Sequence, residues 1–156
     1  MRRVVALAMV VAVLALGWAG CGGSDSDQQQ VAAVITGYYV ARASGDGESA
    51  CTYLTSEAQA AATHQINQVL RRTGHVPQAS YSSCADALSS LGHSDADALR
   101  NVQVRDVTVS GESAQAMART TSRQRQGRTS TASIVEFRLT KTSAGWKIDK
   151  YLAIAA

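Results

Sequence analysis

The chain has 156 residues, of which 46% are hydrophobic and 17% are charged, and it carries a formal net charge of +3. A chain of this length forms one domain and can bury most of the surface that it exposes when unfolded. So small a charge does not indicate a nucleic-acid partner or a general attraction to membrane surfaces.

Residues 1–20 have the pattern of a signal peptide. Two arginines follow Met1, and an uninterrupted apolar run then extends from Val4 to Leu16. The run of about 13 residues is well short of the roughly 20 that cross a bilayer as a helix. Removal of residues 1–20 lowers the formal charge from +3 to +1, so the mature chain is nearly neutral.

Cys21 follows this leader in a setting that resembles a bacterial lipobox. Small residues precede it, although Trp18 stands where an aliphatic residue is usual. The resemblance implies cleavage before Cys21, a lipid on its thiol and attachment to the extracytoplasmic face of the cell membrane. Two acyl chains make such an anchor stable. The alternatives are an ordinary signal peptide that is cut near Ala19 and an uncleaved anchor or core helix.

Cys51 and Cys84 are predicted to form a disulfide bond. Three cysteines are an odd number for an exported chain, and a lipid on Cys21 leaves these two as one pair. An exported location favours their oxidation. The bridge closes a loop of about 34 residues, which stabilises the fold by roughly 3–4 kcal/mol on the chain-entropy estimate. Two free buried thiols are the alternative.

The mature chain is expected to begin with a flexible, solvated tether over residues 21–30, followed by a folded domain over residues 31–156. A possible capping box, Ser56 with Gln59, starts the third of its helices. Apolar residues at helical spacing predict four helices in succession, over residues 28–43, about 47–54, about 56–72 and about 82–91. Their buried stripes are expected to include Val69 in the third helix and Leu91 in the fourth.

After Asp97 the hydrophobic period becomes that of β-strands. Tight turns at residues 110–113 and 142–145 predict a four-stranded antiparallel meander, so the fold class is α+β, with the helices packed on the sheet. In the first strand the parity of the valines changes after Val104, which predicts a bulge near Arg105–Asp106.

The order of these elements resembles nuclear-transport-factor-2-like domains, in particular those on lipoproteins of high-GC Gram-positive bacteria. The resemblance covers about residues 31–153, and its features are "GD" at 45–46, "AC" at 50–51, "LT" at 54–55 and the final "GWKID". It implies a curved sheet wrapped around helices into a cone with an internal pocket. The family includes isomerases, dehydratases and non-enzymatic binding domains, so the resemblance alone selects no activity.

Asp106 is a weak candidate for a catalytic carboxylate, because a pocket carboxylate on a strand can act as a general base. Asp149 is a weaker candidate, and neither has an obvious histidine or tyrosine partner. The histidines, His64, His75 and His93, lack the spacing of metal ligands. The sequence therefore predicts neither a metal nor a cofactor.

Four aromatic residues are candidates for the lining of a pocket that holds a small apolar ligand, namely Tyr38, Tyr39, Phe137 and Trp146. Such pockets are mostly apolar and aromatic. Plain core packing is the alternative, since aromatic residues make up only 5% of the chain.

Four arginines surround a predicted hairpin connection, namely Arg119, Arg123, Arg125 and Arg128. Beside a membrane they are candidates for contact with anionic headgroups or cell-wall polymers. A solvated loop is the alternative. These features predict a membrane-anchored extracytoplasmic protein with a binding or accessory domain, whose partner is a small apolar ligand or an envelope protein. A pocket enzyme of the isomerase or dehydratase kind is the other candidate.

Overall fold

The computed structural model describes residues 23–73, 80–91, 96–123 and 130–154, and within them helices precede strands. The helices are α1 (Gly23–Ser44), α2 (Gly47–Thr52), α3 (Ser56–Thr73), α4 (Cys84–Ser90) and α5 (Ala96–Arg100). The strands are β1 (Gln103–Ser110), β2 (Ser113–Arg123), β3 (Ser130–Thr142) and β4 (Gly145–Ile154). They form one antiparallel sheet in the order β1-β2-β3-β4. The predicted α+β class and the meander are confirmed.

Helix α1 lies at the centre of the domain, in contact with the sheet on one side and with α2 and α5 on others. Val31, Ile35 and Tyr38 recur at helical spacing and are at most 1% exposed. Tyr39 and Ala43 are also buried, on a neighbouring face. Because helix α1 is covered on more than one side, it serves as the core element around which the other elements pack.

The prediction of a flexible tether over residues 21–30 is wrong from Gly23 onward, where α1 begins. Asp27 accepts hydrogen bonds from the Lys141 ammonium (2.8 Å) and from the Trp146 indole N–H (3.1 Å). These partners lie 114 and 119 residues away in the chain, so the polar composition around Asp27 gives no sign of them. Asp25 in the first turn also favours a helix start through the helix dipole.

The predicted bulge in β1 is confirmed. Arg105 pairs with Met117 and Thr108 pairs with Gln115, so two residues of β1 oppose one residue of β2. Asp106 is one of these two, and its φ of 53° places it in the left-handed region. A bulge bends its strand and changes which side chains face the core. In β1 it keeps Val104, before the bulge, and Val107, within it, on the inner face.

A second bulge lies in β4, where the sequence showed no clear parity change. Arg138 pairs with Lys150 and Leu139 pairs with Ile148, which leaves Asp149 as the extra residue. Because of this bulge, Ile148 and Tyr151 both face the core although they are three residues apart.

Helices α2 and α4 approach each other closely and are joined by the disulfide between Cys51 and Cys84, whose Cα atoms are 6.2 Å apart. The predicted bridge is confirmed. Gly47 leaves room for this approach, and its N–H donates to the Ser89 hydroxyl (3.1 Å). A Cβ atom at Gly47 would lie 2.0 Å from the carbonyl oxygen of Ala85.

Three details of the helices differ from prediction, and α5 was not predicted at all. Helix α3 is capped by Thr55, whose hydroxyl accepts from the Ala58 N–H, and Gln59 instead donates to the Cys51 carbonyl. Val69 is 51% exposed because Leu70 continues the buried row of α3. Leu91 is 41% exposed, since it follows the last residue of α4.

The variant Gly47→Ala is expected to lower the free energy of unfolding by about 1–3 kcal/mol, the usual cost of overpacking. In an open helix the same change stabilises by up to about 1 kcal/mol. Urea unfolding of the oxidised protein measures the difference. A variant as stable as the parent chain would show that α2 and α4 do not meet at Gly47.

Candidate functional site

Three of the four predicted pocket aromatics meet on the inner face of the sheet, together with one residue that sequence reasoning missed. The Tyr38 ring lies 5.7 Å from Tyr39, 6.3 Å from Phe137 and 6.2 Å from Tyr151, between ring centroids. The Phe137 ring also contacts Tyr39 and Tyr151. Offset and edge-on contacts of this kind add stability beyond the buried area.

Arg42 completes this group. Its guanidinium carbon is 5.6 Å from the centroid of the Tyr38 ring, a cation–π contact. Arg42 is one helical turn after Tyr38 in α1, so the two side chains share a face of the helix. That spacing is the signal that identifies Arg42 from the sequence. Tyr38, Tyr39, Arg42 and Tyr151 form a tyrosine–arginine cluster, and Phe137 packs beneath its rings.

Two buried polar atoms of this cluster have no hydrogen-bond partner among the described residues, the Tyr38 hydroxyl and the Arg42 Nε. The nearest hydroxyl is that of Tyr151, which, besides burial, raises the pKa of Tyr38 electrostatically and through a side-chain hydrogen bond, although the geometry between the two hydroxyls is poorer than that of a standard hydrogen bond. Buried polar groups are almost always satisfied in folded proteins. A tyrosine hydroxyl can both donate and accept a hydrogen bond, whereas the Arg42 Nε can only donate one.

The tyrosines stay protonated at neutral pH. Burial raises the pKa of Tyr38 well above its ordinary range and raises the pKa of Tyr39 to about 12. The positive charge of Arg42 lowers both values, but by less than burial raises them. Both hydroxyls therefore present an O–H group that can donate a hydrogen bond.

Trp146 is buried away from this cluster, near the start of α1. Its indole N–H donates to Asp27, and the Lys141 ammonium lies 5.6 Å from the centre of its ring. The structure thus assigns Trp146 to a clamp of three residues, Asp27, Lys141 and Trp146. The groove next to Trp146, about 390 Å³, is lined by Val34, Tyr53 and polar residues rather than by the tyrosines 38 and 39.

The two candidate carboxylates both lie at β-bulges, outside the core. Asp106 is exposed. Asp149 borders an open depression of about 390 Å³, which Gln115 and Arg138 also line. In the described part of the chain no polar or charged residue is buried, and Asp149 is half-buried. Neither aspartate has the burial that poises a general base.

His64 is exposed on α3, and His75 and His93 lie outside the described residues. In the described part of the chain, no three His, Cys, Asp or Glu side chains come together in a group that would hold a metal ion. His64 borders a groove of about 620 Å³ between α3 and the segment before α4, lined largely by hydroxyl and amide side chains. Asn67 spans this region by exchanging two hydrogen bonds with the backbone of Tyr81.

Arg119 is exposed on β2, and Arg123 ends that strand. Arg125 and Arg128 lie outside the described residues. The strands β2 and β3 continue in register up to the pair of Arg123 with Ser130, so the predicted hairpin connection is confirmed as the link between them. Among the residues that the structure describes, no helix has the length and apolar content to cross a membrane.

Neither a family model nor a curated protein matches the chain. A comparison of structures finds a protein of the nuclear-transport-factor-2-like family from Streptomyces avermitilis, provisionally classed as a dehydratase. The two chains are 18% identical, the match covers 85% of this chain and 99% of the other, and the TM-score is 0.47. At such distances a shared architecture does not transfer activity, so the function of this chain has to follow from its own residues.

Removal of the Tyr38 hydroxyl tests whether it lacks a partner. The variant Tyr38→Phe is expected to be as stable as the parent chain or more stable, because an unpaired buried hydroxyl contributes only its desolvation cost. Tyr38→Ala, the control, should cost about 3–5 kcal/mol through loss of the ring. Chemical denaturation measures both. A loss above about 1 kcal/mol in the phenylalanine variant would reveal a hydrogen bond at this position.

Asp27→Asn is expected to destabilise the domain in a pH-dependent manner. The hydrogen bonds from Lys141 and then Trp146 lower the pKa of Asp27, so ionised Asp27 stabilises the fold above its ordinary pKa of about 4, and this contribution disappears as the pH falls through the lowered value. Unfolding of both proteins at pH 3 to 7 should show a difference that grows with pH.

Glu136→Gln is the matched control for this variant, because it removes the exposed ion pair with Arg138. Exposed pairs contribute little, so its unfolding curve should stay near that of the parent chain throughout. An Asp27→Asn difference that is the same at pH 3 and pH 7 would mean that the charge of Asp27 has no part in the clamp.

Proposed function

We propose that the chain is an extracytoplasmic lipoprotein whose α+β domain, of the nuclear-transport-factor-2-like type, binds a ligand or partner and has no catalytic activity. The observation that carries the proposal is the disulfide between Cys51 and Cys84. Structural disulfides belong to oxidising compartments. With these two cysteines paired, Cys21 is the one cysteine left, and it follows an apolar leader of signal-peptide length.

The arrangement of polar groups supports binding rather than catalysis. General acid–base chemistry needs a titratable group with a shifted pKa within reach of a substrate. The candidate carboxylates, Asp106 and Asp149, lie at bulges outside the core, whereas the inner cluster offers hydroxyls and a guanidinium. Those groups donate hydrogen bonds at neutral pH, which suits recognition of a bound molecule.

Cys21→Ser tests the membrane anchor. In a bacterial host the parent chain should sediment with membranes, and the mass of its N-terminal peptide should include the lipid on Cys21. The variant should remain unprocessed or appear in the medium, because no thiol is available for the lipid. Immunoblots of the fractions and mass spectrometry of the purified protein measure both outcomes.

The double variant Cys51→Ser, Cys84→Ser is the control, since it also replaces cysteines but leaves Cys21 in place. It should still sediment with membranes. Membrane association of the Cys21→Ser variant, or an unacylated parent chain in the cytosol, would contradict the anchor. Binding is tested separately, by mass spectrometry of small molecules extracted from the native protein. Repeated recovery of nothing would contradict a ligand carrier.

A further inference from the structure

We propose that the outer face of the sheet binds an acidic protein segment that carries apolar side chains. The inference rests on the proposed binding function and names the class of its partner. Its basis is a surface, the basic outer face, on which three exposed cations border three apolar side chains. These residues are Arg105, Arg119, Lys150, Met117, Ile134 and Leu152.

The charge of the chain after residue 20 is divided between its helical and its sheet-forming parts. Residues 103–156, which include the sheet, contain nine lysines and arginines but four aspartates and glutamates. Residues 21–102, which include the helices, contain four lysines and arginines but eight aspartates and glutamates. The two parts nearly cancel, yet the sheet part is basic, and such an asymmetry steers an anionic partner toward it.

Three apolar side chains form a patch on the outer face. Leu152 is 57% exposed, more than any other large apolar side chain in the described part of the chain. Met117 and Leu152 pair with Glu136 from opposite sides, and Ile134 lies diagonally from each, at about 7–8 Å. Single exposed apolar residues are ordinary, whereas adjacent ones with a polar rim point to an interaction site.

The cations lie at the border of this patch. Arg105 pairs with Met117 across β1 and β2, and Arg119 pairs with Ile134 across β2 and β3. Residues that pair directly across strands have neighbouring side chains on one face. The third cation, Lys150, is exposed on β4, two residues before the leucine of the patch. Positive charge thus surrounds the apolar centre from three strands.

These cations have no ion-pair partner within the ranges that the structure describes. The ion pairs formed there are the one in the clamp and the one between Arg138 and Glu136, at 3.2 Å. Glu136, the acid in the middle of the face, is therefore already paired with a neighbour. Asp106 and Asp149 lie at the two bulges and pair with none of the three cations. The positive charge of the face is left for an external anion.

The combination of apolar centre and charged rim favours a protein partner. Protein interfaces bury apolar side chains at their centre and keep a polar rim, and complementary charges orient the two surfaces. A polyanion without apolar groups would leave Leu152 in water. A second copy that docked the same face across a twofold axis would bring like charges together. An acidic segment with apolar side chains suits both parts of the surface.

Two synthetic peptides of about twelve residues probe this face, one that alternates glutamate with leucine and one that alternates glutamate with serine. Fluorescence anisotropy on the full chain in neutral detergent, with empty micelles as the blank, should show the leucine peptide binding at least tenfold more tightly. A lysine–leucine peptide should not bind. A rise in salt from about 50 to about 500 mM should weaken binding, because salt screens exposed charges.

Leu152→Ser should weaken binding of the glutamate–leucine peptide at least fivefold and leave the glutamate–serine peptide unaffected. Arg105→Glu should weaken binding of both peptides several-fold, and Lys150→Glu is a second charge reversal in case the first does not fold. The matched controls lie on α3, where Val69 is 51% exposed and Arg71 is also exposed. Val69→Ser and Arg71→Glu should bind both peptides like the parent chain.

Absence of binding of the glutamate–leucine peptide overturns the proposal. Equal binding of the two glutamate peptides overturns it too, since the face would then recognise charge alone, as in a polymeric anion. Unchanged binding in the Leu152 and charge-reversal variants has the same consequence. A dimer in sedimentation experiments that Leu152→Ser dissociates would show that a second copy occupies the face.

Failure of this proposal is distinguishable from failure of the proposed function. A small molecule recovered from the native protein, together with no binding of either peptide, would leave a binding domain and remove the acidic partner. A cytosolic, unacylated chain that binds the glutamate–leucine peptide through Leu152 and Arg105 would keep this face and remove the lipoprotein.

Discussion

The packing of α1 against the inner face of the sheet holds this domain together. Tyr38 and Phe137, each 1% exposed, meet across that interface, and burial of such large aromatic side chains contributes about 1.5–3 kcal/mol each. The same helix also fixes what lies at its two ends. Asp27 near its start forms the clamp with Lys141 and Trp146, and Arg42 in its last turn joins the tyrosines. The position of one helix thus sets both the clamp at its start and the aromatic cluster at its end.

Local patterns predicted much of this fold, because they report on features that neighbouring residues determine. The change of valine parity after Val104 identified the bulge in β1, and the pairing of Cys51 with Cys84 followed from counting cysteines. Long-range contacts were beyond such reasoning. Asp27 is helical through partners more than a hundred residues away, and Tyr151 reaches the aromatic cluster because a bulge at Asp149 turns it inward. Trp146 lies apart from the other three predicted aromatics because it pairs with Asp27, 119 residues away in the chain.

The site itself shows a division between two kinds of polar residue. The two carboxylates selected from the sequence, Asp106 and Asp149, lie at the bulges of β1 and β4, outside the core. The groups that remain unsatisfied lie inside, on Tyr38 and Arg42. Composition alone does not reveal such groups, because it does not show which polar atoms the fold buries.

The clamp at Asp27 has a geometric consequence for a chain anchored at Cys21. Two peptide steps separate Cys21 from Gly23, the first residue of α1, so their Cα atoms lie at most about 7 Å apart. Asp27 ties that helix end to the turn between β3 and β4. The 13 residues of β3 extend about 40 Å to its other end. The far end of the β2–β3 pair, at Arg123 and Ser130, would then lie on the side of the domain away from such an anchor.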